Sequence, residues 1–491
     1  MKRTLEGLAT VVLAACAGEP LSPPQVPTAP QFTSMPLADQ REVAGVPGGQ
    51  AQRFMPGQDM PALWWTLFRS PALDALVRQA LDGSPTLARS RARLRQAEED
   101  FNARSGATSW PRVDAKLSAN RIDVNPQSLG VQNLPIATPF NLYLASVGVS
   151  YTLDLFGASR NELQALQAEI DHQRYEVEAA RLMLAGNVVT AAIREAQLRE
   201  QIASSEEIIA LQSRQLAIIE RLLQLGTAAQ ADVVAQRLEL AQARAGLPQL
   251  QHQLEQVRHR LAVYTGQPPG SAQLPEFRLA DLQLPTALPL SLPSELARQR
   301  PDIRAVEALL QQAGAKVGVA TANLYPQITL SATAGSIASS NGGDLFAAGS
   351  GFYLLGATLA QPIFRGGELQ AKRRAAVAGY EQAAAAYQEV VLQGLQNVAD
   401  VLRALQADER VLHERADAAA QARRQHEIVS ARHEAGGVSH YAVLDSQRKL
   451  HATLRDRTQA VADRYADSAA LLQALGGGWW QEQAPASPAT P

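Results

Sequence analysis

Apolar and polar residues alternate along this chain with two different periods, and the same order of periods occurs twice. Val113, Ala115, Leu117 and Ala119 alternate with Arg112, Asp114, Lys116 and Ser118. That period of two predicts a strand with one apolar and one polar face. After a polar loop over 123–140, alternation resumes at Leu142 and Leu144, then at Val147, Val149, Tyr151 and Leu153. The phase shifts near Ala145-Ser146, where the pattern predicts a bulge or a register slip. In the second half Ile328, Leu330 and Ala332 alternate with Gln327, Thr329 and Ser331, a Gly/Ser/Asn loop spans 335–350, and a further strand runs from Phe352 to Ile363. Each half thus offers two strands of about ten residues, close to what a tilted strand needs to cross hydrocarbon.

The other period is helical. Between Gly157 and Gly226 there is no proline, and apolar residues recur at Leu163, Leu166, Ile170, Leu182, Val188, Val189 and Ile193. A helix that long spans roughly 100 Å at about 1.5 Å per residue. A return arm is predicted from Ala229 to about Thr265. The second half repeats the pair over Gly367–Ala435 and Ser439–Leu475. Shorter helices begin at Pro71 and at Pro85, where Ser84 is a suitable N-cap. The proline and glycine marks recur at offsets of 208 to 216 residues: Pro85 with Pro301, Pro111 with Pro326, Phe156-Gly157 with Phe364 and Gly366, Gly226 with Gly436. A period of that size is an internal duplication. The expected organisation is a signal peptide over 1–15, an extended lipid-anchored segment over 16–62, a first repeat over 63–266, a Pro-rich linker with a short helix over 267–300, a second repeat over 301–478 and a disordered tail over 479–491.

Composition sharpens this picture in three ways. The 491 residues carry 45 basic and 47 acidic side chains, so net charge gives no support to a nucleic-acid partner. Aromatics are 5%, as expected of long helices meeting through small residues. The single cysteine, Cys16, ends Leu13-Ala14-Ala15-Cys16 after a Lys2-Arg3 start and a short apolar run. That resembles a bacterial lipobox, which makes Cys16 the expected lipidation site. No stretch approaches 18 consecutive apolar residues, so membrane crossing would fall to the strands. Four such strands cannot close a barrel of the minimum eight, so a chain of this kind must assemble.

The residues that carry a resemblance are Trp64-Trp65 with Phe68, the run Tyr151 to Gly157, Gly226 with Asp232-Val233, Arg300-Pro301-Asp302-Ile303, Leu324-Tyr325-Pro326, Gln361-Pro362-Ile363-Phe364 with Gly366-Gly367, Gly436 with Val443-Leu444-Asp445, and Leu475 to Trp479. Their order and twofold occurrence, over about residues 60–478, resemble the TolC/OprM-like outer-membrane efflux proteins, specifically the lipid-anchored NodT-like type. The resemblance implies a mainly α protein with membrane β structure: a homotrimeric duct, a 12-stranded β-barrel continuous with a long periplasmic α-helical barrel. It implies a periplasmic adaptor and an inner-membrane pump of the RND type as partners, outer-membrane lipid around the barrel, small hydrophobic or amphiphilic toxic compounds as cargo, and no cofactor, metal or catalytic centre. Ducts for metal ions or secreted proteins are close alternatives. A lipid-anchored coiled-coil adaptor would not need the paired alternating segments. No His-Glu-x-x-His, phosphate loop or nucleophile elbow points to an enzyme.

The same resemblance places the turns at Gly226 and at Gly436-Gly437 at the periplasmic tip, where a gate would lie. Asp232 and Asp445 match family aspartate positions. A ring of three carboxylates would tune a constriction. The alternative for Asp445 is a surface pair with Arg448 or Lys449 at helical spacing. The latch of the best-known relative is missing: Ala442, Val438 and His433 stand at its aspartate, arginine and tyrosine positions. Closure is therefore expected from packing around Leu444 and Tyr441. His433 and His440 flank the turn and read as solvated polar residues, as do His252 and His259. Gly157, Gly366 and Gly367 are expected at strand-to-helix transitions, and Pro111 and Pro326 at the reverse passage.

Overall fold

The computed structural model describes residues 30–34, 40–123 and 139–483. Cys16, the signal peptide and the end of the C-terminal tail lie outside them. In chain order the elements are β1 (Arg53–Pro56), α1 (Pro71–Gly83), α2 (Pro85–Ser109), β2 (Arg112–Ile122), β3 (Phe140–Leu153), α3 (Ala158–Gln224), α4 (Gln230–Tyr264), β4 (Ala287–Leu290), α5 (Pro293–Gln299), α6 (Pro301–Ala322), β5 (Gln327–Ala338), β6 (Gly351–Ala360), α7 (Glu368–Glu434), α8 (His440–Ala474) and α9 (Trp480–Gln483). The duplication is exact in its long parts. α3 and α7 are each 67 residues, and α4 and α8 are each 35. α4 continues through Pro248, despite the hydrogen bond that a proline removes.

Two compact units form. The first takes the chain over 93–173 and 306–387. It contains one antiparallel sheet in the order β2-β3-β5-β6. The register is one-to-one along all three pairings, for example Val113 with Val149, Val149 with Ala332 and Ala332 with Leu355. The expected bulge at Ala145-Ser146 is absent: Ala145 pairs with Leu117 and Ser146 with Lys116 in unbroken succession. The reason is that Tyr143 and Ala145 continue the face of Val147, Val149, Tyr151 and Leu153. Leu142 and Leu144 are extra apolar residues on the opposite face. One face of the sheet is thereby predominantly apolar, including Val113, Leu117, Leu330, Tyr353, Leu355 and Leu359, all exposed in the single chain, with Arg121, Asn141 and Ser336 toward its end at the β2–β3 and β5–β6 connections. The other carries Arg112, Asp114, Lys116, Thr152, Thr329 and Ser331. There Arg112 pairs with Asp114 at 2.7 Å and the hydroxyls of Thr152 and Thr329 meet at 3.2 Å.

The second unit takes, among the described residues, 30–34, 40–92, 174–305 and 388–483. Its core joins Trp64, Phe68, Leu73, Leu76, Val188, Ile193, Phe277, Leu279, Leu296, Leu402 and Leu472. Two segments that read as loose are built into it. The described part of the segment over 16–62, residues 30–34 and 40–62, is not simply extended. β1 pairs in parallel with β4, from Arg53 opposite Ala287 to Pro56 opposite Leu290. Before it, residues 40–52 form a strap against α8. The buried Arg464 donates to the backbone oxygens of Gly48 (2.8 Å) and Gln50 (2.9 Å) and to Oε1 of Gln40 (2.8 Å). The proline-rich stretch over 267–300 buries Phe277, Leu279, Leu282, Leu284 and Leu288. The Tyr465 hydroxyl donates to the Leu282 carbonyl at 3.0 Å. Order also continues past the expected boundary at 478, because Trp479 Nε1 donates to the Gln299 carbonyl at 2.8 Å and α9 follows.

Candidate functional site: the two helical tips

Each tip is a five-residue turn, 225–229 and 435–439, between a long helix and its return arm. α3 ends with Gly226 N–H on the Leu223 carbonyl (3.0 Å) and Thr227 N–H on the Leu222 carbonyl (2.9 Å). α7 ends in the same way, with Gly436 on His433 and Gly437 on Arg432, both 2.8 Å. This pair of crossed bonds needs a left-handed residue just past the helix. Gly226 and Gly436 both take φ +75°. Gly437 has no such φ and serves as the second donor. The two tips share a backbone and differ in side chains.

Asp232 stands at the start of α4, where its carboxylate accepts the Ala229 N–H at 3.1 Å. It satisfies a helix N-terminus, where a negative charge is favourable. The matching residue of the second tip is Ala442. Asp445 lies one turn further along α8. Its carboxylate accepts Lys449 Nζ at 2.8 Å and Arg448 Nη2 at 3.1 Å. The hydrogen bond from Lys449, then its charge and Arg448, hold the Asp445 carboxyl below the usual carboxylate range. Within the single chain Asp445 is thus paired with the cations at i+3 and i+4, as the surface-pair alternative expects. Arg448 also reaches Glu239 on α4 at 3.2 Å, which joins the first hairpin to the second.

A second link runs parallel to that one. Gln236 on α4 is fully buried, and its Nε2 donates to the Gln212 carbonyl at 3.0 Å. Its Oε1 lies 3.4 Å from His440 Nε2 on α8. The His440 and His433 rings stand 5.5 Å apart, and His433 Nδ1 is 3.0 Å from the Val438 carbonyl. Burial, then the neighbouring His433, pushes the His440 imidazole below its ordinary value, against an opposing pull from Asp232. His440 is thus a half-buried connector and not a solvated bystander. Leu444 and Tyr441 differ in exposure within the single chain. Leu444 is buried within the chain at 3% exposure, whereas Tyr441 is 62% exposed. Three positions apart on α8, they are near neighbours on the helix surface, Leu444 turned inward and Tyr441 outward beside Arg448.

The transition residues sit in the first unit. Gly157, Gly366 and Gly367 take φ of +81°, +57° and +84° between strand and helix. Beside Gly157, Asp154 accepts the N–H groups of Ser159 (3.2 Å) and Arg160 (2.9 Å) and so caps α3. Pro111 and Pro326 fall between α2 and β2 and between α6 and β5. Phe156 stacks on Tyr325, with ring centroids 4.9 Å apart. Sequence reasoning missed Glu239 and Gln236, whose partners lie on the other hairpin. The only available signal was their spacing of three on the α4 stripe that also holds Asp232.

A sheet with one predominantly apolar face, on strands of 10 to 14 residues, in a chain with duplicated long helical hairpins, defines a membrane channel of the outer-membrane efflux type. The chain belongs to the outer membrane efflux protein family, whose model matches residues 76–267 and 292–477. The two matched stretches are the two copies of the duplication. Among relatives, the pyoverdine export outer membrane protein OpmQ of Pseudomonas aeruginosa is 32% identical over 426 residues, covering 86% of this chain and 88% of that protein. The toluene efflux pump outer membrane protein TtgC of Pseudomonas putida is 27% identical, covering 98% of this chain and 97% of that one. The solved structure of the outer-membrane channel OprN has a TM-score of 0.80 at 26% identity, covering 93% of this chain and 99% of that one. The chain is accordingly an outer-membrane efflux channel protein of a Gram-negative bacterium, extending into the periplasm.

Proposed function

We propose that three copies of this chain close a twelve-stranded barrel in the outer membrane and form the passive exit duct of a tripartite pump. The observation that carries this reading is the sheet itself. β2 and β6 each have one unpaired edge in the single chain. Open edges in hydrocarbon cost several kcal/mol per unsatisfied backbone group. Joining the β6 edge of one copy to the β2 edge of the next removes every edge when the ring closes. The apolar face then meets lipid and the polar face lines the lumen. The tips at Gly226 and Gly436-Gly437 lie at the periplasmic end, where a periplasmic adaptor and an RND-type inner-membrane pump deliver cargo. Asp232, Asp445 and Tyr441 stand at the constriction there, and Leu444 supports it from within. Cys16 carries the lipid anchor.

The cargo is proposed as small hydrophobic or amphiphilic toxic compounds, supported by the toluene-exporting relative. A second reading, export of an endogenous siderophore, is favoured by the higher identity to two pyoverdine-export proteins, at 30% and 32%. One experiment on the native host separates these. A deletion strain with its pump genes intact is scored for sensitivity to a panel of organic toxicants and for siderophore in the medium. Hypersensitivity supports the first reading, and loss of secreted siderophore the second. Native mass measurement of the detergent-extracted protein tests the assembly: a monomer alone would sink the closed-barrel argument.

A further inference from the structure

We propose that Asp408 on α7 and Asp467 on α8 share one proton and form an acid-tightened joint between the arms of the second helical hairpin. The two residues lie nearly equidistant from the Gly436 turn, on antiparallel arms, and their carboxyl groups are in hydrogen-bond contact. Oδ2 of Asp408 is sealed from solvent and has no donor. Two carboxylates in that contact repel each other, whereas a single proton between them converts repulsion into a hydrogen bond.

The surroundings favour the proton. α8 also turns Asp463 toward the pair, adding negative charge. Its Oδ1 already accepts Gln459 Nε2 at 2.6 Å. The cation facing them from α8 is Arg464, whose terminal nitrogens are committed to Gly48, Gln50 and Gln40 of the strap. From α7, Glu409 faces Arg464 and accepts the Arg41 N–H of the strap at 3.4 Å. Burial, then the charge and contact of Asp467, push the Asp408 carboxyl up to about 8, with Arg464 pulling the other way. Burial raises Asp467 as well. The matching positions of the first hairpin, at the constant offset of 210 residues that relates the helices, are Leu198 and Val257, both buried. Where the first copy has two buried apolar side chains, the second has a titrating pair.

The sign follows from linkage. The folded pair holds its proton more tightly than the unfolded chain, where an aspartate titrates near 3.8. The joint is strongest in acid, weakens as pH rises through the window up to about 8, and changes no further above it. The helical wall is therefore stiffer at acid pH and looser at alkaline pH.

The test uses the full-length protein in detergent. Thermal unfolding, and hydrogen exchange of the helices around residues 408 and 467, are followed between about pH 5.5 and pH 9. The wild type is expected to lose a few degrees of Tm, and several-fold in protection, as pH rises relative to both Asp408→Asn and the double variant Asp408→Leu/Asp467→Val. The double variant should match the wild type in acid and exceed it in alkali. Superimposable pH profiles for wild type and Asp408→Asn would overturn the proposal. Infrared titration of the wild type decides the matter even if the variants do not fold. A protonated carboxyl C=O band that persists at neutral pH and is lost toward about pH 9 supports the shared proton, and absence of such a band at neutral pH refutes it.

Discussion

Arg464→Ala should free the strap over residues 40–52 while leaving the helical hairpins folded. Arg464 is fully buried, and its two terminal nitrogens make three hydrogen bonds to the strap at 2.8 to 2.9 Å. Hydrogen bonds from a charged donor contribute about 1.5–3 kcal/mol each. They cannot be summed at full value, because the guanidinium gives up its hydration on burial and its Nε has no partner. Truncation also leaves the buried Gly48 carbonyl, and the part-buried Gln50 and Gln40 oxygens, without their donor. Breaking a buried charged contact of this kind typically costs about 3–5 kcal/mol. If the strap opens as a local unit, that is roughly a 10²- to 10⁴-fold rise in amide exchange over 40–52, with the Val43 amide, bonded to the Gly49 carbonyl at 2.7 Å, as the most direct reporter.

Two further variants separate charge from packing. Arg464→Lys keeps a charge but lacks the fork, so it should fall between wild type and alanine. Arg464→Leu installs the residue found at the matching position of the first copy, Leu254, and refills the volume. It still leaves three acceptors without donors, so the strap should exchange almost as fast as in the alanine variant. Unchanged exchange over 40–52 in Arg464→Ala would refute the reasoning. It would show that β1–β4 pairing and the bonds of Gln52 Nε2 to Pro285 (2.9 Å) and Ser468 (2.8 Å) hold the strap alone.

At the tips, Arg448→Ala should loosen the contact between the hairpins by about 1–2 kcal/mol, since Glu239 keeps only 12% of its side chain exposed, and should raise single-channel conductance in planar bilayers; unchanged conductance would remove the pair from the gate. Gly226→Ala or Gly436→Ala forces a Cβ into the left-handed region and should cost about 1–2 kcal/mol each, read as faster exchange of the last turn of α3 or α7. The lowered His440 value predicts that the tip is most stable above about pH 6.5 and loses stability as pH falls through the depressed folded value, because charging puts a cation in a half-buried site beside His433 while Nε2 still donates to Gln236, so tip exchange should rise in acid for the wild type and stay flat in His440→Gln. Tyr441→Ala should alter conductance without altering Tm, because Tyr441 is exposed, whereas Leu444→Ala should lower Tm by leaving a cavity worth about 2–5 kcal/mol.

What the sequence made legible was whatever is enforced locally. Pro111, Pro326, Gly226 and Gly436 punctuate the chain because each alters backbone geometry at its own position, and the elements begin and end beside them. The β-alternation was legible as well, but its phase in β3 was misread from Leu142 and Leu144. A single strand does not reveal which face is continuous, and only the register with β2 and β5 does. The strap was illegible for a different reason. Nothing in Gln40–Gln52 has a period, and its order comes from Arg464, 416 residues from Gly48 along the chain. Asp445 shows the limit at the candidate site. Its cations were readable at i+3 and i+4, but the further step from Arg448 to Glu239 depends on how two hairpins meet.

The two copies keep one backbone and trade polarity at selected buried positions. Glu195 is fully buried in the first copy, held by Arg199 at 2.9 Å and Arg258 at 2.8 Å, and its counterpart Leu405 is equally buried in the second. The exchange runs the other way at Leu254 and Arg464, at Leu198 and Asp408, and at Val257 and Asp467. Buried charge is costly unless partnered, so each such position must have its partners in its own copy and cannot move to the other. The backbone marks repeat because both hairpins must build the same kind of wall. The charges do not repeat because each has a separate partner: the strap for Arg464, Glu239 for Arg448, the α4 N-terminus for Asp232. In the proposed trimer every backbone feature of the helical wall then occurs six times, and every one of these charged contacts only three. In that trimer a gate built from these contacts would have threefold and not sixfold symmetry, with the Glu239–Arg448 pair joining unlike neighbouring hairpins.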